Sequence, residues 1–210
     1  KLKKSNTVYF YNDKKAVQSQ VNILVDGDVM DLTNRHKSNV FNKYFGGSMS
    51  GLVFQEIREF KSLAYSAWGS YRSPYYLDDS GRFEGFMGTQ ADKTIDAIET
   101  YVQLLKEMPE KPLRSDGIRS GLLESLNSSK PKFRGMSLSI RGWEKQGFVS
   151  DPRKTRKEVY ENVKFDDISD FYSTYIKGKP IIITVVGNKD KIDMEKLGKF
   201  GDVIELTKKV

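Results

Sequence analysis

The chain has 210 residues, with 35 lysines and arginines interleaved with 28 acids for a formal net charge of +7, so it reads as a solvated basic surface rather than a nucleic-acid binder. An apolar share of 38% supports a packed core and argues against extensive disorder, and no apolar run reaches the ~20 residues of a membrane-spanning helix. With no cysteine and one histidine, His36, it has no disulfides, thiolate nucleophile or ordinary zinc site, although the compartment stays open.

The opening KLKKSNTV has no apolar segment behind its basic residues, so no signal peptide is expected. The missing initiator Met points to a piece of something longer. Tyr9 to Tyr11 predicts a short strand closed by the Asn12-Asp13 turn. Val17, Ser19, Val21, Ile23 and Val25 alternate with neighbours that include Gln18, Gln20 and Asn22, which predicts a long strand stopped by Asp26-Gly27-Asp28. Met30 to Phe45 loosens towards a helix and runs into Gly46-Gly47. Beyond it, Ser48 or Ser50 is placed to cap a helix whose apolar face is Leu52, Val53, Ile57 and Phe60.

Tyr65 to Tyr71 alternates again, putting Tyr65, Ala67, Gly69 and Tyr71 on one face until Pro74 ends the strand. Phe83 to Gln90 is its hairpin partner across the Asp78–Gly81 turn. Ile95, Ile98, Val102, Leu105 and Met108 mark an amphipathic helix capped by Asp92 and stopped by Pro109. Further helices follow on Ile118, Leu122 and Leu126, on Phe133, Met136, Ile140 and Trp143, from Pro152 to Val163, and on Phe165 to Tyr175. The unbroken run Ile181 to Val186 reads as a central strand. A short helix from Met194 to Phe200 and a strand from Val203 to Leu206 close the chain. Strands, a block of helices and strands again predict one α+β domain over residues 1–210, with a mixed, mostly antiparallel sheet covered by helices on one face.

Few residues carry chemistry. YFGGSMSG places glycines before a helix, as a phosphate cradle would, but lacks the lysine of a P-loop, so a tight bend for close packing is the better reading. His36 sits in TNRHKSN with no nucleophile elbow, which leaves no basis for a Ser-His-Asp triad, and catalysis by this chain alone is not expected. Glu56 and Glu59 flank Arg58 and read as surface charge. Tyr71, Tyr75 and Tyr76 around Arg72 fit either peptide stacking or a strand end. Arg58 and Tyr65, seven residues apart, are a guanidinium and a phenol able to donate to one peptide carbonyl and to the oxyanion formed on attack. The spacing alone fits more readily a helix salt bridge of Arg58 to Glu56 or Glu59 and a packed Tyr65.

The run from Asn42 to Tyr71, with YFGGSMSGLVFQEIRE and LAYSA, resembles the C-terminal half of the pitrilysin/insulinase family of inverzincin zinc metallopeptidases. Looser similarity continues through Gln18-Ser19, DPRKTRKEVYENVKFDDISDFY and IIITVVGNKD to the end of the chain. The resemblance implies the α+β fold of mitochondrial processing peptidase-like domains and two halves closing around a peptide. Zinc would be held by H-x-x-E-H in the complementary N-terminal half, in the same polypeptide or a separate chain, with no cofactor in this one. It also implies that Arg58 and Tyr65 assist catalysis as substrate clamp and oxyanion donors; Tyr71, from the aromatic cluster around Arg72, is expected to join them in substrate binding. Peptides and the zinc half are the expected partners, with neither nucleic acid nor membrane. The alternative the resemblance allows is an inactive scaffold or binding subunit of the same fold.

Overall fold

The structure is a computed structural model and describes residues 5–47 and 49–207. Its centre is a six-stranded mixed sheet formed by β1 (Thr7–Asn12), β2 (Gln18–Val29), β3 (Ala64–Arg72), β4 (Ser80–Gln90), β5 (Ile181–Gly187) and β6 (Asp202–Leu206), in the order β3-β4-β2-β5-β1-β6. The β3–β4, β4–β2 and β2–β5 pairs are antiparallel, and β1 lies parallel to both β5 and β6. The IIITVV run sits in the middle, as its β-branched, apolar character predicts.

Along β2, Ser19, Val21, Ile23 and Val25 are buried, whereas Gln18, Gln20 and Asn22 are exposed. Helices cover the first face only: α1 (Leu32–Phe45), α2 (Thr94–Lys106), α3 (Ser115–Ser128), α4 (Met136–Lys145), α5 (Pro152–Asn162) and α6 (Phe165–Tyr175), with the short α7 (Met194–Gly198) before β6. Beneath them Phe41, Phe45, Phe83, Phe171 and Tyr101 form an aromatic centre, in which Phe45 meets Phe83 edge to face at 5.4 Å. Asp31 caps α1 by accepting from Asn34 N at 2.7 Å, and Asp151 caps α5 in the same way ahead of Pro152.

Gly46 ends α1 directly against the backbone of β3, where a Cβ would stand 2.6 Å from Gly69 N. The glycine pair therefore serves close packing, and Gly69 N donates to Gly46 O. Asn42 closes the same edge of the sheet: its Oδ1 accepts from Tyr71 N at 2.6 Å and its Nδ2 donates to Tyr71 O at 2.9 Å.

Four expectations need correction. β2 does not stop at Asp26-Gly27-Asp28 but runs to Val29 through a register shift. Asp92 does not cap α2; it lies in a 3-10 turn, and Thr94 anchors the helix start by donating to Ala91 O at 2.8 Å. The helix after the glycines is π-helical from Phe54 to Phe60, and its wider turn takes Phe60 out of the Leu52, Val53 and Ile57 face and into solvent. Ser48 lies outside the described residues, and the carbonyl of Ser50 accepts from Arg114. Finally, the apolar residues of the α4 region find little cover in this chain, with Phe133, Leu138 and Ile140 all exposed.

Candidate functional site at the start of the third strand

Arg58 and Tyr65 meet because the backbone around them is irregular in three ways. Arg58 rides on the π-helical segment Phe54–Phe60, a form that recurs at functional sites. Ser62 turns the chain with φ 49, in the left-handed region that non-glycine residues seldom occupy. Leu63 N donates back to Ile57 O at 2.9 Å, tying the end of the π-helix to the start of β3.

Tyr65 is then the extra residue of a β-bulge. Ala64 pairs with Thr89 and Ser66 with Gly88, leaving Tyr65 unmatched between them. The bulge overturns the alternation that placed Tyr65 with Ala67, Gly69 and Tyr71. Those three point into the core, whereas Tyr65 is 78% exposed.

The guanidinium carbon of Arg58 stands 5.7 Å from the centre of the Tyr65 ring and 4.8 Å from that of Phe54, so the rings hold the cation by its attraction to their π faces. Glu59 approaches Arg58 Nε at 3.7 Å, a contact too exposed to neutralise it strongly. Glu56 turns instead to Lys111 Nζ at 3.1 Å, so the two glutamates are not a carboxylate pair. Arg58 and Tyr65 line one cavity of about 300 Å³ with Gln18, Ser62, Leu63, Ala64, Gly88 and Gln90.

Tyr71 is not part of this arrangement. It is 2% exposed and packs edge-on against Phe171 at 5.1 Å, which removes it from any substrate surface. Tyr75 and Tyr76 lie beyond the far end of β3, roughly 20 Å along the strand from Tyr65, beside Lys145. Gln18, Ser62, Gly88 and Gln90 were missed in the sequence. Their approach to Arg58 depends on the β2–β4 register and the bulge, and the polar alternation beginning at Gln18 was the one available signal.

His36 is buried, stacked on Phe148 at a ring distance of 5.3 Å, and neither ring nitrogen has a hydrogen-bond partner. Burial, reinforced by the nearby Arg156 cation, pushes its pKa down to about 4. Among the described residues no three histidine, cysteine or carboxylate side chains come together to hold a metal. A lone imidazole inside an apolar stack does not fit zinc, and the described residues offer it no donor set.

A mixed six-stranded sheet with helices on one face is an architecture found in solved structures. The fold is shared with a peptidase M16 inactive domain from Pseudomonas fluorescens, with a TM-score of 0.73 and 12% identity, covering 90% of this chain and 45% of that one. It is shared also with the periplasmic protease PqqL of Escherichia coli, with a TM-score of 0.66 and 14% identity, covering 89% and 21%. In sequence, the chain is 40% identical over 96 residues to the uncharacterized zinc protease YmxG of Bacillus subtilis, covering 46% of this chain and 21% of that protein. It is 30% identical over 142 residues to an uncharacterized zinc protease of Rickettsia bellii, covering 66% and 34%. The chain thus spans about a third or less of the length of these sequence relatives.

The sequence model of the peptidase M16 inactive domain matches residues 2–116. The chain belongs to that family, the inactive C-terminal half of pitrilysin/insulinase-type proteins, in agreement with the resemblance carried by Asn42 to Tyr71.

Proposed function

We propose that this chain is one domain that forms the substrate-holding half of a zinc metalloendopeptidase, with Arg58 and Tyr65 donating to the carbonyl of the peptide bond being cut. The observation that carries this reading is their convergence on one exposed cavity through a π-helix, a left-handed serine and a β-bulge. Backbone irregularities of this kind concentrate where side chains must be aimed.

In this reading the zinc-bearing N-terminal half supplies the metal chemistry and closes over the cavity. Arg58 contributes a fixed positive fork and Tyr65 a hydroxyl donor. Both meet the carbonyl oxygen before reaction and hold it more strongly as negative charge develops there. Closure removes water and strengthens both contacts. The rings of Phe54 and Tyr65 restrict the guanidinium, so less freedom is lost when it engages substrate.

The test uses a quenched-fluorescent peptide and the zinc-bearing half with and without this chain. Cleavage is expected only when both are present. Equal cleavage by the zinc half alone would sink the proposal. No cleavage with both halves folded and the zinc half metallated would favour the scaffold role.

A further inference from the structure

The cavity of Arg58 and Tyr65 does not end at Gln18 and Gln90. The same two side chains line a second, more apolar cavity of about 570 Å³, together with Val17, Ala91, Asp92 and Lys191. Gln18 and Gln90 are cross-strand partners at the end of the β2–β4 ladder, and directly opposed residues share a face of the sheet. Beside them Gly88, itself opposite Gln20, places no side chain on that face, so the surface dips between Tyr65 and the glutamine pair. Val17 is an aliphatic side chain left 77% exposed at the edge of this depression.

We infer that the second cavity is an apolar subsite for one side chain of an extended peptide, and that Gln18 and Gln90 bind the peptide backbone between this subsite and the point held by Arg58 and Tyr65. The inference rests on the substrate-holding role proposed for that pair. A primary amide carries both donors and an acceptor, so two of them match successive N–H and C=O groups without selecting sequence. Selection then falls to the cavity beyond. Asp92 and Lys191 bring one charge of each sign to it, so neither sign of substrate charge is favoured, and the exposed Val17 offers apolar contact. An extended strand advances about 3.3 Å per residue, and because the two cavities share the glutamines, the selected side chain belongs within a few residues of the held carbonyl.

The experiment uses the assembled peptidase, stripped of zinc so that peptides survive, and fluorescein-labelled octapeptides carrying Leu or Asp at each position in turn. Anisotropy gives a Kd for each peptide. The parent protein is expected to prefer Leu at one position, and Val17→Asp to reduce that preference about tenfold without changing the others. In the zinc-loaded enzyme, Gln18→Ala with Gln90→Ala is expected to raise KM about tenfold for Leu and Asp peptides alike while kcat holds. All three positions are exposed, and an unchanged Tm for each variant excludes a folding defect. Unchanged preferences in Val17→Asp overturn the subsite, and an unchanged KM in the double variant overturns the backbone contacts. Arg58→Ala separates the two readings: if its kcat is normal while Val17→Asp still shifts preference, the clamp fails and the subsite stands, and the converse retains the clamp alone.

Discussion

The guanidinium carbon of Arg58 lies 5.7 Å from the centre of the Tyr65 ring, although the two residues sit on different secondary structures and both are exposed. Their contacts with the core are few, so the pair contributes little to holding the fold together. Arg58→Ala and Tyr65→Phe are each expected to change unfolding free energy by less than about 0.5 kcal/mol in urea titrations. A loss of several kcal/mol would make the pair structural.

His36 makes stability depend on acid. Its ordinary pKa of 6.5 falls to about 4 in the fold, so between these values the unfolded chain binds a proton that the native chain does not. Stability contributed by the neutral ring is full above pH 6.5 and is lost progressively as pH falls towards 4, by about 1–3 kcal/mol in all. His36→Phe keeps a ring against Phe148 and is expected to flatten this part of the stability-pH curve. Identical slopes in variant and parent would contradict the assignment.

Tyr71 belongs to the core, and Gly27 makes room for it. A Cβ on Gly27 would stand 1.9 Å from the Tyr71 hydroxyl, so Gly27→Ala is expected to cost about 1–3 kcal/mol. Tyr71→Ala leaves a cavity beside Phe171 and Tyr175 and is expected to cost about 3–5 kcal/mol, measured by denaturation. Wild-type stability in both variants would return Tyr71 to the surface role first assigned to it.

Arg35 pins the loop between β3 and β4 from below. Its Nη1 donates to Pro74 O at 2.6 Å, and its Nη2 to Tyr76 O at 2.8 Å and Leu77 O at 3.1 Å. A lysine cannot reach three carbonyls with this planar geometry. Arg35→Lys is expected to cost about 1.5–3 kcal/mol and to speed proteolysis within residues 73–79. Unaltered cleavage there would show that the loop holds itself.

The fold was legible where one signal dominated. The short β-branched run Ile181 to Val186 marked a buried strand and the spacing of Ile98, Val102 and Leu105 a helix, and both elements form there. Alternation failed at Tyr65 because a bulge adds one residue to the count, and a period of two cannot reveal a break in itself. Helical spacing likewise misplaced Phe60, since the π-helix does not keep the α repeat. Tyr71 carries a polar tip that suits either surface or core, and only the space at Gly27 and Gly81 decides between them. Gln18 and Gln90 are far apart in the chain, and their meeting follows from strand register alone.

The most direct measurement is kcat for Arg58→Ala in the assembled peptidase, with zinc content and Tm held to parent values. The proposed role of Arg58 as an oxyanion donor predicts a fall of about 10²–10³, equivalent to roughly 3–4 kcal/mol in the barrier. A parent-like kcat in a folded, fully metallated variant would contradict it.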